Sequence, residues 1–218
     1  MTLSEDIKKF LPQYLTEEST QVLLKELEAY CVDGTTNKVY SIPPHEDKTI
    51  YQGDGISNLV IVNIAISSNE GYIISHKQVP AIIISNTCDI SLENDRKRPF
   101  YVCYAPLVKY EAFHTMIAQQ FGKQVADNQC EAIKAQKITD LLYLPQGGNL
   151  DTDYIALLGR ICSMDNRLVS RDNLNETRLF SLSNFGFYLF LLKLSIHLNR
   201  VQEKVDRTTF IDQGHSNQ

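Results

Sequence analysis

The pattern of apolar and polar positions changes character along the chain. Residues 3–13 and 16–31 have helical spacing; in the second stretch Val22, Leu23, Leu27 and Tyr30 recur behind a Thr/Glu opening that suits a helix N-terminus. Together they predict an amphipathic helical hairpin. Residues 32–50 are rich in turn formers, with one short strand near 39–42 and a Pro43-Pro44 pair that excludes helix. From Tyr51 onward the period becomes two. Leu59, Ile61, Asn63 and Ala65 alternate with Val60, Val62, Ile64 and Ile66, and strands are expected near 57–66, 71–76, 79–86 and 99–107. Four short strands at this spacing favour a small antiparallel sheet or barrel over βαβ units.

Helical spacing returns at 108–138, where Tyr110, Phe113, Ile117 and Phe121 share a face, Gly122 is a natural stop, and a second helix follows near 125–137. Residues 141–145 form another strand. The stretch YIALLGRICSM reads as a strand pair or one bent strand with its bulge at Gly159. A helix over 183–202, with Ser183 as N-cap, closes the fold. Its core, FGFYLFLLKLSIHL, is too short to span a bilayer and is interrupted by Lys193 and His197, so it predicts a buried helix and no membrane span. The expected class is α+β, divided into a helical hairpin and linker over 1–50, a core over 51–204 with inserted helices at 108–138, and a flexible tail over 205–218.

Composition narrows the function classes. With 218 residues, 43% hydrophobic and 22% charged, the chain belongs with ordinary globular proteins. A net charge of -5 argues against a broadly basic nucleic-acid-coating surface and leaves room for a local basic site. Cys31, Cys88, Cys103, Cys130 and Cys162 are odd in number and form no CxxC, and MTLSEDIKKF has no basic region followed by an apolar one. Free thiols in a reducing cytoplasm are the expectation, with no metal and no cofactor. No GxSxG, HExxH, GxxxxGK[ST] or GxGxxG after a strand is present.

The most reactive stretch is 79–92, VPAIIISNTCDISL, where an apolar strand runs into Ser85, Asn86, Thr87, Cys88 and Asp89. Cys88 and Asp89 can be read as a catalytic pair, although a neighbouring carboxylate disfavours the thiolate and a base such as His76 or His114 would have to come from elsewhere. They can equally be read as the polar end of a core strand, satisfying backbone groups as it turns. Arg96, Lys97 and Arg98 form a basic loop suited to phosphate, or a solvated tip beside Glu93 and Asp95. Arg160, Asp165, Arg167 and Arg171 form a second charged group, in which Arg160 suits a phosphate clamp and Asp165 can pair with Arg167.

Four segments, YQGDGISNLVIVNI, KQVPAIIISNTCD, RPFYVCYAPLV and GRICSMDNRLVSR, resemble the PemK/MazF-type growth-inhibitor toxins. The matching positions are Gly53-Asp54, Pro80 to Asn86, Ala105-Pro106-Leu107 and Asp165-Asn166-Arg167-Leu168. The resemblance covers about half the chain in pieces. It implies a small SH3-like antiparallel barrel and a toxin-like module of a bacterial growth-arrest or phage-defence system. It also implies metal-independent cleavage of single-stranded RNA, an antitoxin or defence-system partner, and a homodimer. The family's Arg before the proline is Gln78-Val79 here, with Lys77 the nearest cation, and its hydroxyl position is Val108. The catalytic set would then fall to Cys88, Asp89, Arg160, Lys77 and His76, with Arg96, Lys97, Arg98 and Arg167 holding RNA. The alternative is a non-catalytic binding or assembly subunit that recognises a protein partner or small ligand through the SNTCD turn.

Overall fold

Residues 39–41, 48–67, 71–94 and 97–198 are described by a computed structural model. The hairpin expected at 3–31, the final residues of the helix expected to reach 202, the tail from 205, and Arg96 lie outside these residues.

The α+β class is present, built on a seven-stranded antiparallel sheet. Its strands are β1 (Gly55–Ile66), β2 (Tyr72–Ile83), β3 (Tyr101–Lys109), β4 (Leu141–Leu144), β5 (Tyr154–Leu157), β6 (Cys162–Asp165) and β7 (Arg178–Phe180). They are ordered β4-β5-β3-β2-β1-β7, with β6 paired to β3 on the edge opposite β2. The sheet does not close into the barrel expected from the sequence. β7 meets only Gly55 and Ile56, β3 divides its length between β6 and β5, and the outer half of the β1–β2 hairpin runs clear of the sheet.

Two irregularities set the shape. Ile56 pairs with Ala81 and Leu59 with Val79, so Ser57 and Asn58 together face Pro80. A bulge opposite a residue that has no N–H to donate lets β2 run unbroken from 72 to 83. The sequence suggests two strands there, because the polar residues His76, Lys77 and Gln78 look like a turn; they are instead paired across to β1. The second irregularity is the bend at Gly159. Between Leu107↔Ala156 and Tyr104↔Cys162, β3 advances three residues while the chain opposite advances six. The YIALLGRICSM stretch is two short strands, β5 and β6, along one edge of β3 with a turn at 158–160, the strand-pair form of the sequence expectation with Gly159 in the turn.

Helices cover both faces. α1 (Thr87–Ile90) is a single turn after β2, where the sequence suggests a strand reaching 86. α2 (Tyr110–Phe121) and α3 (Lys123–Lys134) form the inserted pair, hinged at Gly122 with φ +90°. Tyr110, Cys130 and Ile133 pack on Leu141, Tyr143 and Ile155, while Phe121 stays exposed. α4 (Leu174–Thr177) leads into β7, and α5 (Asn184–Leu198) lies on the other face. The Ser183 Oγ accepts the Gly186 N–H at 3.1 Å, the capping role expected of it. Phe185, Leu189, Phe190 and Leu194 of α5 bury against Ile82, Ala105, Leu107 and Ala156. Each such side chain contributes roughly 1.5–3 kcal/mol by leaving water. Lys193 is buried with them, and its Nζ donates to the carbonyls of Gln136 and Ile138 just beyond α3. Desolvation lowers its pKa to about 8. Among the described residues, no helix is long and apolar enough to cross a membrane.

Inside the sheet, two buried polar groups hold the β1 end. Arg178 and Asp54 are each 1% exposed, with Nε 3.2 Å from Oδ2. Arg178 Nη2 donates to the Thr49 carbonyl, and Asp54 Oδ2 accepts the Tyr51 N–H at 2.9 Å. Removing one partner leaves the other charge buried. Asp54→Asn or Arg178→Met is expected to destabilise the fold by about 3–5 kcal/mol, measured by urea denaturation. Tyr104 donates its hydroxyl to the Val60 carbonyl, and burial raises its pKa to about 12. A phenol whose folded pKa is raised contributes stability that is complete below pH 10 and is lost as pH rises from 10 to 12. Tyr104→Phe should flatten that part of the alkaline unfolding profile.

Candidate functional site

The SNTCD turn divides by role. Ser85 Oγ accepts the Cys103 N–H at 2.8 Å, which fastens the turn to β3. Asn86 Oδ1 accepts the Cys88 N–H at 3.0 Å and caps α1. Thr87 Oγ1 accepts the Gln52 N–H at 3.0 Å, and Gln52 Nε2 reaches the Ile84 carbonyl at 2.8 Å, so the Gly53-Asp54 loop is tied to the same turn. Ile90 is buried in the core. Three of the five polar residues are therefore structural. The side chains this turn leaves outward are Cys88, which is exposed, and Asp89, which is half-buried.

Asp89 lies on a pocket of about 400 Å³ that also includes Asn94, Lys97, Arg98, Phe100, Asp165 and Arg167. Two locks shape it. Asn94 Nδ2 donates to the Cys88 carbonyl, folding the basic loop back over α1. On the opposite wall Asn166 Nδ2 donates to the Ile90 carbonyl at 3.1 Å. Arg171 donates to the same carbonyl at 3.2 Å and to the carbonyls of Asn166 and Val169 at 3.0 and 2.9 Å. Asn166 and Arg171 thus hold the end of β6 against α1. Burial lowers the Arg171 pKa, and its guanidinium is occupied with these acceptors.

The electrostatics of the walls differ. Arg167 grips Asp165 in a fork, Nε to Oδ1 at 2.9 Å and Nη2 to Oδ2 at 2.6 Å. The fork holds the Asp165 carboxyl down at a pKa of about 2. Lys97 and Arg98 are exposed and make no hydrogen bond or ion pair with another described residue. Tyr101, the first residue of β3, is exposed beside Arg167. Three cations, two carboxylates and an exposed aromatic therefore converge at one end of β3. Among the described residues, no group of three or more His, Cys, Asp or Glu side chains is placed to hold a metal ion.

The sequence candidates separate into two places. Cys88, Asp89, Lys97, Arg98 and Arg167 gather at or beside this pocket, and Arg96 lies outside the described residues. Lys77 and His76 sit on the exposed half of β2, opposite Ile61 and Val62. Arg160 donates to Asn63 Oδ1 on the same hairpin. It lies in the turn before β6, five residues ahead of Asp165. Arg160, Lys77 and His76 are thus not assembled with Cys88 and Asp89. Sequence reasoning missed Asn94, Phe100 and Tyr101; the signal for the two aromatics was their place one residue after the basic run in DRKRPFY, and nothing in the pattern marked Asn94.

No family model, curated protein or solved structure matches this chain.

The Asp165–Arg167 fork has a direct signature. Its depressed carboxyl pKa contributes stability that is present above the ordinary carboxylate range and is lost as pH falls through about 2. Carbon-13 titration should place Asp165 near that value, and Arg167→Gln should raise it part of the way toward the ordinary carboxylate range, because the residue 167 N–H still donates to Oδ1 at 2.9 Å.

Proposed function

We propose that this protein is a toxin-like module of a bacterial growth-arrest or phage-defence system, and that it engages single-stranded RNA at the Asp89–Arg167 pocket. The observation that carries this reading is the convergence of Lys97, Arg98 and Arg167 around Asp89, next to the exposed ring of Tyr101. Lysine and arginine side chains neutralise phosphates, and an exposed aromatic ring offers a stacking platform to an unpaired base. Among the described residues Lys97 and Arg98 make no hydrogen bond or ion pair, so a phosphate displaces no described partner at those two residues. At Arg167 it must share the guanidinium with Asp165.

Cleavage would use the same parts without metal. Asp89 would take the proton of the ribose 2′-hydroxyl as its oxygen attacks phosphorus. Lys97 and Arg98 would stabilise the negative charge of the phosphorane, and the 5′-oxygen would leave with a proton from solvent. A second reading, a non-catalytic subunit that recognises a small ligand or protein partner at the SNTCD turn, is favoured by the pocket volume, which falls in the ~300–1,000 Å³ range of small-molecule sites.

Labelled single-stranded RNA incubated with the protein in EDTA separates these readings. Lys97→Ala and Arg98→Ala should each weaken binding and reduce the salt slope by about 0.7, the loss of one phosphate contact. Asp89→Asn should abolish cleavage while leaving binding in place. RNA that is bound but never cut supports the binding module. RNA that is neither bound nor cut, or binding whose salt slope the substitutions leave unchanged, sinks the RNA reading.

A further inference from the structure

The pairing of Asp165 with Arg167 fixes an orientation as well as offsetting a charge. Asp165 is directly opposite Tyr101 in the β3–β6 ladder, so carboxylate and ring share a face of the sheet. The Asp165 side chain is 18% exposed, and its Oδ1 also accepts the Arg167 N–H at 2.9 Å. The carboxylate is thus a fixed post at the end of β6. Arg167 grips it side-on through Nε and Nη2, while the Arg167 side chain is 80% exposed on the pocket wall.

A guanidinium is planar and carries donors along more than one edge. With the Nε edge given to Asp165, the end-on edge remains, formed by Nη1 and the second Nη2 proton. Among the described residues, Asp165 is the hydrogen-bond and ion-pair partner of Arg167, and no other residue shares that role. The fork offsets much of the charge, which makes Arg167 a weaker phosphate ligand than Lys97 or Arg98. It also holds the plane still, so the remaining pair of donors loses little freedom on meeting a ligand. A neutralised, oriented donor pair suits the reading of a base better than the holding of a phosphate.

We propose that Arg167 is the base reader of this site and that the base it selects is guanine. The proposal rests on the RNA reading above and names its substrate more narrowly. Unpaired bases expose both their Watson–Crick and Hoogsteen edges. Guanine offers two adjacent acceptors, O6 and N7, the usual match for a bidentate arginine. Adenine sets a donor beside N7, and uracil separates its carbonyls with an N–H, so neither offers an adjacent pair of acceptors. Cytosine offers one, O2 and N3, but on a smaller ring. The exposed Tyr101 ring beside the fork favours the larger stacking surface of a purine. Guanine meets both conditions. Lys97 and Arg98 then take the phosphate, Arg167 takes the base, and Asp165 is a positioning residue that acts through Arg167.

Fluorescence anisotropy with four labelled oligoribonucleotides tests the assignment. Each is all uridine apart from a central G, A, C or U, and each carries 2′-fluorine in place of the hydroxyl so that none is cut. The wild type should bind the G oligomer on the order of 10-fold more tightly than the others. Replacing that base by 7-deazaguanine, which lacks the N7 acceptor, should remove most of the margin. Arg167→Lys keeps the charge without the paired donors and should bring the four affinities together. Asp165→Asn loosens the fork and should narrow the margin. Far-UV circular dichroism should be unchanged in both variants. Equal binding of all four oligomers, still weakened by Lys97→Ala, keeps the RNA site and overturns the guanine assignment. A preference for C or A overturns it, as does a G preference that survives 7-deazaguanine or Arg167→Lys. Binding to none of the four sinks the RNA reading and the assignment with it.

Discussion

The ion pair between Asp54 and Arg178 is the constraint on which the rest of the architecture depends. It joins the loop before β1 to β7, two segments more than a hundred residues apart in the chain. A buried pair of this kind is a weak source of net stability, because desolvation offsets most of the attraction. Its effect is positional. The Asp54 carbonyl accepts the Ile83 N–H, and the Gly53 N–H donates to the Ile83 carbonyl, both at 2.9 Å. The end of β2 is thereby held to the loop, and the SNTCD turn departs from that end. Gly53 adopts φ +88°, and a Cβ there would lie 2.8 Å from Leu182. The loop thus depends on glycine both for its backbone angle and for its close approach to the segment before α5.

Because the turn is fixed at its root, the polar residues along it can be used in different ways. Ser85, Asn86 and Thr87 spend their oxygens on backbone N–H groups of β3, α1 and the 51–54 loop. Each of those N–H groups would otherwise lack that partner. Asp89 is then placed by the helix turn that Asn86 caps and Ile90 anchors. On the far side, Asn166 and Arg171 converge on the carbonyl of that same Ile90. The pocket is therefore bracketed by two rigid attachments, while Lys97 and Arg98 come from the loop between them and Arg167 from the opposite wall. This division suits recognition, since the carboxylate is held in place and the long cationic side chains can adapt to a ligand.

Legibility in the sequence follows from how local each determinant is. The Ser183 cap, the Gly122 hinge and the bend at Gly159 were readable because each rests on residues within a few positions of one another. The continuous β2 strand was not, because the bulge that accommodates Pro80 is formed by Ser57 and Asn58 on another strand. The absence of barrel closure was not legible either. It depends on how β3 is shared between β6 and β5, which no periodicity encodes. For the site, the pairing of Asp165 with Arg167 could be anticipated from two residues of spacing. The separation of Arg160 and Lys77 from Asp89 could not, since it is set by the sheet register. Charge was informative in a similar way: the basic run at 96–98 pointed to the pocket loop, whereas isolated cations did not reveal their neighbours.

A net charge of -5 bears on what such a pocket can do. An acidic protein gains no long-range steering toward a polyanion, and at physiological salt fields are screened beyond about 8 Å. On the proposed RNA reading, affinity would have to arise from contacts inside that distance, at Lys97, Arg98 and Arg167. Lys97 and Arg98 share one short loop, while Arg167 stands across the pocket with much of its charge satisfied by Asp165. A site of this composition is poorly suited to coating a nucleic acid along its length. On that reading it would be better matched to one or two phosphates presented with an unpaired base, where the exposed ring of Tyr101 would add stacking that salt does not screen. Selectivity for a single-stranded segment would then follow from geometry, because a duplex keeps its bases stacked and away from the ring.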